Sequence, residues 1–200
     1  MRQTTEPPVG KHDKIQRVVI VHGWDGSSAI HWQSWLARKC ERVLKVETHY
    51  PKLPEKHHPV LSAWLEALDR ILPVINETTA LVGHSMGSIV ALQLLLHRRP
   101  KVSMLLLVAP SSESRVAASD TARFLLPFYD GLGNIGELKV DIKEAHVWAS
   151  GNDNWIDPTE AQCLSTRLGA EFHFVSGAGH FNVASGHHTF PDVLALLRTI

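Results

Sequence analysis

The feature that most constrains the fold of this chain is a glycine-flanked turn, Gly83-His84-Ser85-Met86-Gly87, between two apolar segments. Residues 78–82 before it form a short apolar run that predicts a buried strand. Residues 86–99 after it are apolar on almost every side, which predicts a deeply buried helix that ends before Pro100. A buried strand that passes directly into a buried helix is typical of an α/β fold.

The rest of the chain alternates between strand-like and helix-like segments in the same way. Further strands are predicted at residues 17–21, 43–48, 103–108, 145–149 and 171–175. Further helices are predicted at residues 29–39, 60–72, 158–168 and 191–197. The alternation predicts about six mostly parallel strands with helices on both faces. Residues 111–144 lack a firm assignment apart from a possible helix at 121–128, and long segments of this kind often carry function.

Length and composition favour one domain that acts on a small molecule. The 200 residues suffice for a single core, and the polar stretch 1–14 predicts a flexible tail before one domain at residues 15–200. Twenty basic residues balance twenty acidic ones, so we expect neither nucleic acid nor a membrane surface as partner, and no protein partner is indicated. We find no signal peptide, no membrane-length apolar run and no Cys-x-x-Cys motif, so we expect a cytoplasmic protein.

The glycine-flanked turn also carries chemistry, because it matches the Gly-x-Ser-x-Gly nucleophile elbow. Chance would give this pattern in roughly one chain in sixteen of such composition, so its position between strand and helix supplies the specificity. Glycine on both sides permits a sharp turn that lifts Ser85 above the sheet edge. The N-terminus of the following helix favours negative charge developing there. Ser85 is therefore the predicted nucleophile.

A serine hydroxyl needs a base, which in the elbow arrangement follows the last strand. Four histidines lie on or beyond that strand, and His173 is inside it. His180 follows it in a glycine-rich loop that can place an imidazole over Ser85, so His180 is the predicted base. The pair His187-His188 lacks a third ligand, and we predict no metal site and no cofactor.

The acid that orients this base should follow the fifth strand, where the loop offers two carboxylates. Asp157 precedes Pro158 at the start of a predicted helix, which gives it a capping role. Asp153 has no such structural role and falls just past the strand end. We therefore predict Asp153 as the orienting acid and keep Asp157 as the alternative.

An oxyanion hole needs two N–H donors, and the sequence offers both. One is the amide of Met86, directly after the nucleophile, and the other is the amide of Trp24 in the loop after the first strand. His22 in that loop is predicted to be structural. The predicted substrate-binding residues lie in or beside these loops, and the long segment adds one: Gly23, Trp32, His84, Phe128, Trp155 and Phe181.

With these residues the chain resembles the α/β-hydrolases, and within them the small serine hydrolases of the YdeN-like, retinoblastoma-binding-protein-nine type. The marks of the resemblance are the elbow together with His22-Gly23, His31-Trp32, Ala109-Pro110 and the run Gly179-His180-Phe181-Asn182. The resemblance spans most of residues 17–197 and implies a compact α/β-hydrolase fold with a minimal cap. It also implies a triad of Ser85, Asp153 and His180. Asn152 departs from the family, which usually has an acid there.

These observations predict a serine hydrolase that cleaves small carboxylic esters through an acyl-enzyme. Acyl transfer and cofactor-free peroxidation would use the same triad and stay open as alternatives. A non-catalytic hydrolase scaffold that binds another protein is the third possibility. A metal-dependent hydrolase is disfavoured, because the sequence has no His-x-x-x-His motif and no cysteine cluster.

Overall fold

The computed structural model describes residues 14–26, 29–72 and 74–198, and six parallel strands form its central sheet. The strand order is β2-β1-β3-β4-β5-β6, so the chain starts near one edge and ends at the other. The strands are β1 (Arg17–Val21), β2 (Glu47–His49), β3 (Thr79–His84), β4 (Val102–Val108), β5 (Ile142–Ser150) and β6 (Glu171–Val175). β1, β3 and β4 are buried almost throughout, as a sheet covered on both faces requires.

Helices connect the strands and cover both faces, which confirms the predicted compact α/β-hydrolase fold. They are α1 (Trp32–Lys39), α2 (Leu61–Ile71), α3 (Met86–Arg98), α4 (Glu113–Ala117), α5 (Pro158–Leu168) and α6 (Pro191–Leu196). The first ten residues of α3 are all buried, in agreement with its apolar sequence. Among the helices of the described residues, none is both long and apolar enough to cross a lipid bilayer.

Two predicted elements differ from the structure. The strand predicted at residues 43–48 is shorter, because Cys40–Leu44 continues α1 as a π-helical turn and Lys45 reverses the chain at φ 58°. Val43 is exposed there, so the apolar run did not mark a buried strand. The helix predicted at residues 121–128 is a 3-10 helix, Arg123–Tyr129.

The long segment packs closely onto the domain. It contains α4 and the 3-10 helices Arg123–Tyr129 and Leu132–Val140. The Gln93 amide of α3 donates hydrogen bonds to the carbonyls of Phe128 (2.7 Å) and Asp130 (2.8 Å), which fixes the segment against a buried helix. The predicted flexible tail falls almost wholly on residues 1–13, outside the described residues.

Parallel pairing brings the loops of interest to one edge of the sheet. Val21 pairs with Gly83, and His84 pairs with Val108, so the loop after β1 lies beside the turn after β3. β5 and β6 end at the same edge, with Trp148 opposite both Val108 and His173. Residues that follow β1, β3, β5 and β6 can therefore converge on one site.

Candidate functional site

Ser85 occupies a strained turn at the carboxyl end of β3. Its backbone lies at φ 54° and ψ −126°, a conformation that residues other than glycine rarely adopt outside functional sites. The turn is possible only because its flanks are glycine. A Cβ on Gly83 would lie 2.5 Å from the Ser88 Cα, and one on Gly87 would lie 2.2 Å from the Val21 carbonyl oxygen. β3 thus passes into α3 through a turn that has no room for a side chain at position 83 or 87.

His180 and the buried Asp153 form a hydrogen-bonded pair beside this turn. Nδ1 of His180 lies 2.8 Å from Oδ2 of Asp153, whose side chain is 0% exposed. The other oxygen of Asp153 accepts the backbone N–H of Trp155 at 2.8 Å. With an N–H on Nδ1 donated to the carboxylate, the opposite nitrogen, Nε2, keeps a lone pair that can accept a proton.

Ser85 and His180 line the same cavity, but their side chains make no hydrogen bond to each other within the described structure. Such a contact is often long before a substrate binds and shortens in the complex.

Asp157, the alternative acid, has a structural position instead. Its Oδ1 accepts the backbone N–H of Thr159 at 2.8 Å and so caps the start of α5. This N–H also holds the pKa of Asp157 below its usual value. Of the two carboxylates in the loop after β5, Asp153 is therefore the one placed against His180.

Two buried side chains hold the loop that carries His180 by hydrogen bonds to its carbonyl groups. Nε2 of His84 lies 2.9 Å from the carbonyl oxygen of His180, and Nε1 of Trp32 donates to the carbonyl of Phe181 at 2.9 Å. Burial lowers the pKa of His84 to about 3, so its imidazole is neutral and donates from Nε2. A neutral His84 can lie 4.9 Å from the ring of His180 without repelling its protonated form.

The predicted oxyanion loop approaches Ser85 directly. A Cβ on Gly23 would lie 2.9 Å from Ser85 Cβ, so only glycine permits this approach. Nδ1 of His22 lies 2.8 Å from the Gly23 carbonyl oxygen, while Nε2 of His22 accepts the N–H of Leu53 at 3.1 Å. Burial lowers the pKa of His22, which suits this neutral tautomer.

The His22 contact has a consequence for the amide of Trp24. In a trans peptide the carbonyl and the following N–H point in opposite directions. Since His22 holds the Gly23 carbonyl, the Trp24 N–H points away from His22. Within the described part of the chain, neither this N–H nor that of Met86 donates to another protein group. Trp24 and Met86 both line the cavity that contains Ser85.

This cavity has a volume of about 280 Å³, and part of its wall is apolar. Several of its lining residues come from the long segment after β4, namely Ser111, Arg115, Val116, Ala122 and Leu125. Tyr129 braces that wall by donating to Ser111 Oγ at 2.8 Å. From this segment the sequence predicted only Phe128 as substrate-binding and did not identify the residues that line the cavity, because its short helices leave no clear periodicity.

The predicted substrate-binding residues divide into two groups. Trp155 lines the cavity and is half exposed, and Gly23 lies against Ser85. Trp32, His84, Phe128 and Phe181 are buried in the core, and none is among the described residues that line the cavity. Trp32 and His84 hold the His180 loop rather than a substrate.

Comparison with known proteins identifies the family of the chain. The model of the serine hydrolase family matches residues 18–199. YdeN of Bacillus subtilis (strain 168) is 28% identical over 188 residues, which cover 92% of this chain and 95% of YdeN. The YdeN crystal structure aligns with a TM-score of 0.81 at 27% identity, over 91% of this chain and 96% of that one. A YdeN-like protein from Pectobacterium atrosepticum gives a TM-score of 0.67 at 25% identity, over 91% and 89% of the two chains. The chain therefore belongs to the serine hydrolase family and is a hydrolase of the YdeN type.

Proposed function

We propose that the protein hydrolyses small carboxylic esters, with Ser85 as nucleophile, His180 as general base and Asp153 as the orienting acid. The observation that carries the proposal is the hydrogen bond between buried Asp153 and His180, since His180 lines the same cavity as the strained Ser85. An imidazole hydrogen-bonded to a buried carboxylate and placed beside a serine at a helix N-terminus is the arrangement that acyl transfer requires.

The first half of the reaction forms an acyl-enzyme. Ser85 Oγ attacks the ester carbonyl carbon while His180 Nε2 takes the hydroxyl proton, and the carbonyl π electrons move onto its oxygen. The amides of Trp24 and Met86 donate to this oxyanion. The tetrahedral intermediate then collapses, the bond to the alcohol oxygen breaks, and His180 gives its proton to the departing alcohol.

The second half repeats these steps with water. His180 removes a proton from water, the hydroxyl oxygen attacks the acyl carbon, and the carboxylic acid leaves as Ser85 recovers its proton. Asp153 accepts the Nδ1 N–H throughout and stabilises the imidazolium each time it forms. Removal of one oxyanion donor from such a site typically costs about 100- to 1,000-fold in kcat.

The cavity supports a short or medium acyl or alcohol group. Its volume of about 280 Å³ is at the lower end of the range for small-molecule sites. Val116, Ala122, Leu125 and Trp155 give it apolar surface. We therefore expect butyrate esters to be better substrates than octanoate esters.

The test is hydrolysis of p-nitrophenyl acetate, butyrate and octanoate by the wild type, Ser85→Ala and Ser88→Ala. We expect Ser85→Ala to lose activity by a factor on the order of a million. Ser88→Ala is the matched control, because Ser88 lies one turn further along α3 and its buried hydroxyl has no hydrogen-bond partner among the described residues. We expect Ser88→Ala to retain activity within about threefold. Full activity in folded Ser85→Ala would contradict the proposal, and a wild type inactive on all three esters would favour a binding scaffold.

A further inference from the structure

A second cluster of chemically active side chains lies on β5 and β6, outside the cavity of Ser85. Each of these strands carries a Glu-x-His sequence, Glu144-Ala145-His146 on β5 and Glu171-Phe172-His173 on β6. His146 pairs with Glu171 across the strands. Because alternate residues of a strand share a face, the two histidines and two glutamates lie on one face of the sheet.

The side chains of this cluster are close enough to share one ion. His146 Nδ1 lies 2.9 Å from His173 Nε2 and 3.7 Å from an oxygen of Glu171. One ligand atom from each of His146, Glu171 and His173 can be chosen so that all lie within 4.8 Å of one another. Tetrahedral zinc places its nitrogen ligands about 3.3 Å apart, so the two imidazoles need to separate by only a few tenths of an ångström.

The hydrogen bonds around His146 select the nitrogen that would face an ion. Nε2 of His146 lies 2.8 Å from Oε1 of Glu144, and His146 is 3% exposed. A carboxylate at this distance accepts the Nε2 N–H, so the proton stays on Nε2 and the Nδ1 lone pair is directed at His173. A carboxylate behind a histidine is the usual arrangement around protein-bound zinc, where it fixes the tautomer and raises the basicity of the ligand.

From this geometry we propose that the protein binds one divalent ion of the Zn²⁺ class through His146 Nδ1, His173 Nε2 and the Glu171 carboxylate. Glu144 accepts the Nε2 N–H of His146 on the side of the ring away from the ion, and water completes the tetrahedral coordination. The ring of His173 stacks on Trp148 at 4.4 Å, which fixes its orientation. Zinc binding requires the His173 proton to reside on Nδ1, and Oε1 of Glu171 lies 3.9 Å from that atom.

An ion can reach this site from solvent. Glu171 is 68% exposed in its side chain, and an open groove that includes Glu144 and His146 leads past it. Lys139 and Lys143 line the same groove, and their positive charges repel a cation. We therefore expect a dissociation constant in the micromolar range rather than the nanomolar range.

The position of the site defines its effect. It bridges β5 and β6, whose loops carry Asp153 and His180, but its histidines lie in the middle of these strands and Glu171 lies at the start of β6, away from the loops. A bound ion would therefore stabilise the strand pair and take no part in the reaction at Ser85. Mass action predicts that the melting temperature rises with the concentration of zinc.

The test is calorimetric titration of the metal-free protein with ZnCl₂, with His173→Gln and Glu171→Gln as variants and His97→Gln as control. His97 is an exposed histidine near the end of α3 and far from the cluster in sequence. We expect one equivalent in the wild type and in His97→Gln, at least 30-fold weaker binding in His173→Gln, and about tenfold weaker binding in Glu171→Gln. Circular dichroism in EDTA checks that each variant is folded.

Replacement of zinc by Co²⁺ gives an independent readout, because tetrahedral cobalt with nitrogen ligands absorbs strongly in the visible. We expect this absorption in the wild type and its loss in His173→Gln. Zinc affinity that is the same in folded His173→Gln and in the wild type, as binding at His180 would give, overturns the proposal. So does a wild type that binds no zinc at millimolar concentration.

Discussion

Replacement of Asp153 by asparagine should abolish turnover while leaving the fold intact, and the reason lies in two hydrogen bonds. Oδ1 of Asp153 accepts the Trp155 N–H and Oδ2 accepts the His180 Nδ1 N–H, both at 2.8 Å. Asparagine offers one oxygen and one NH₂ group. If the oxygen faced His180, the NH₂ would oppose the Trp155 N–H, and that buried unpaired donor would cost about 1–3 kcal/mol.

The asparagine should therefore turn its NH₂ group toward His180. Nδ1 must then accept, the imidazole proton moves to Nε2, and Nε2 can no longer take the proton of Ser85. The wrong tautomer in a serine triad costs about 10⁴-fold in kcat, or about 5.5 kcal/mol in the activation barrier.

The assay is steady-state hydrolysis of p-nitrophenyl butyrate by the wild type, Asp153→Asn and Asp157→Asn. Asp157→Asn is the matched control, since asparagine caps a helix about as well as aspartate and the Thr159 contact is kept. We expect it to stay within about twofold of the wild type. Asp153→Asn that is folded and within tenfold of wild-type activity would refute the tautomer argument. A large loss confined to Asp157→Asn would transfer the acid role to Asp157.

Three further predictions concern packing, pH and charge. Gly87→Ala should lower the melting temperature by roughly 10 °C, because its Cβ would lie 2.2 Å from the Val21 carbonyl oxygen. A Cβ on Gly133 would meet no atom of the described residues within 4 Å, so Gly133→Ala should melt like the wild type in a thermal scan. Since His84 has a folded-state pKa of about 3, below the 6.5 of a free histidine, its unfolded form binds the extra proton and stability falls as the pH drops from 6.5 toward 3. Urea unfolding at several pH values gives the slope of the free energy of unfolding against pH. We expect this slope to be smaller in His84→Gln, by at most about 1.4 kcal/mol per pH unit. An unchanged slope would show that His84 is charged when folded. Arg115 lines the cavity, and its one ion pair among the described residues, to Asp157, is long at 4.0 Å. Arg115→Ala should therefore raise the KM for a p-nitrophenyl hemisuccinate about three- to tenfold and leave the KM for the butyrate unchanged.

The fold could be predicted from the sequence because its signals are local. β3, the turn at Ser85 and α3 each show their own pattern of apolar residues and glycine, and the structure confirms the parallel sheet. The choice between Asp153 and Asp157 also came from a local argument, since Pro158 marks a helix start. The second strand was misplaced, because an apolar run such as Val43-Leu44 is equally compatible with a helical turn.

Features that depend on packing between distant elements could not be predicted. Trp32 and Phe181 lie beside functional loops in sequence, but only the folded structure shows that they are buried and are not among the described residues that line the cavity. The wall formed by Val116 and Leu125 belongs to a segment without clear periodicity. The cluster on β5 and β6 forms only because the two strands pair in one particular register. That register cannot be read from the local sequence around His146 or His173.

The central claim is that Ser85 is the activated nucleophile, and the most direct test is covalent labelling with a fluorophosphonate followed by peptide mass spectrometry. We predict one adduct per chain, located on Ser85, absent from Ser85→Ala and strongly slowed in His180→Ala. An unlabelled wild type, or an adduct on another residue, would contradict the account.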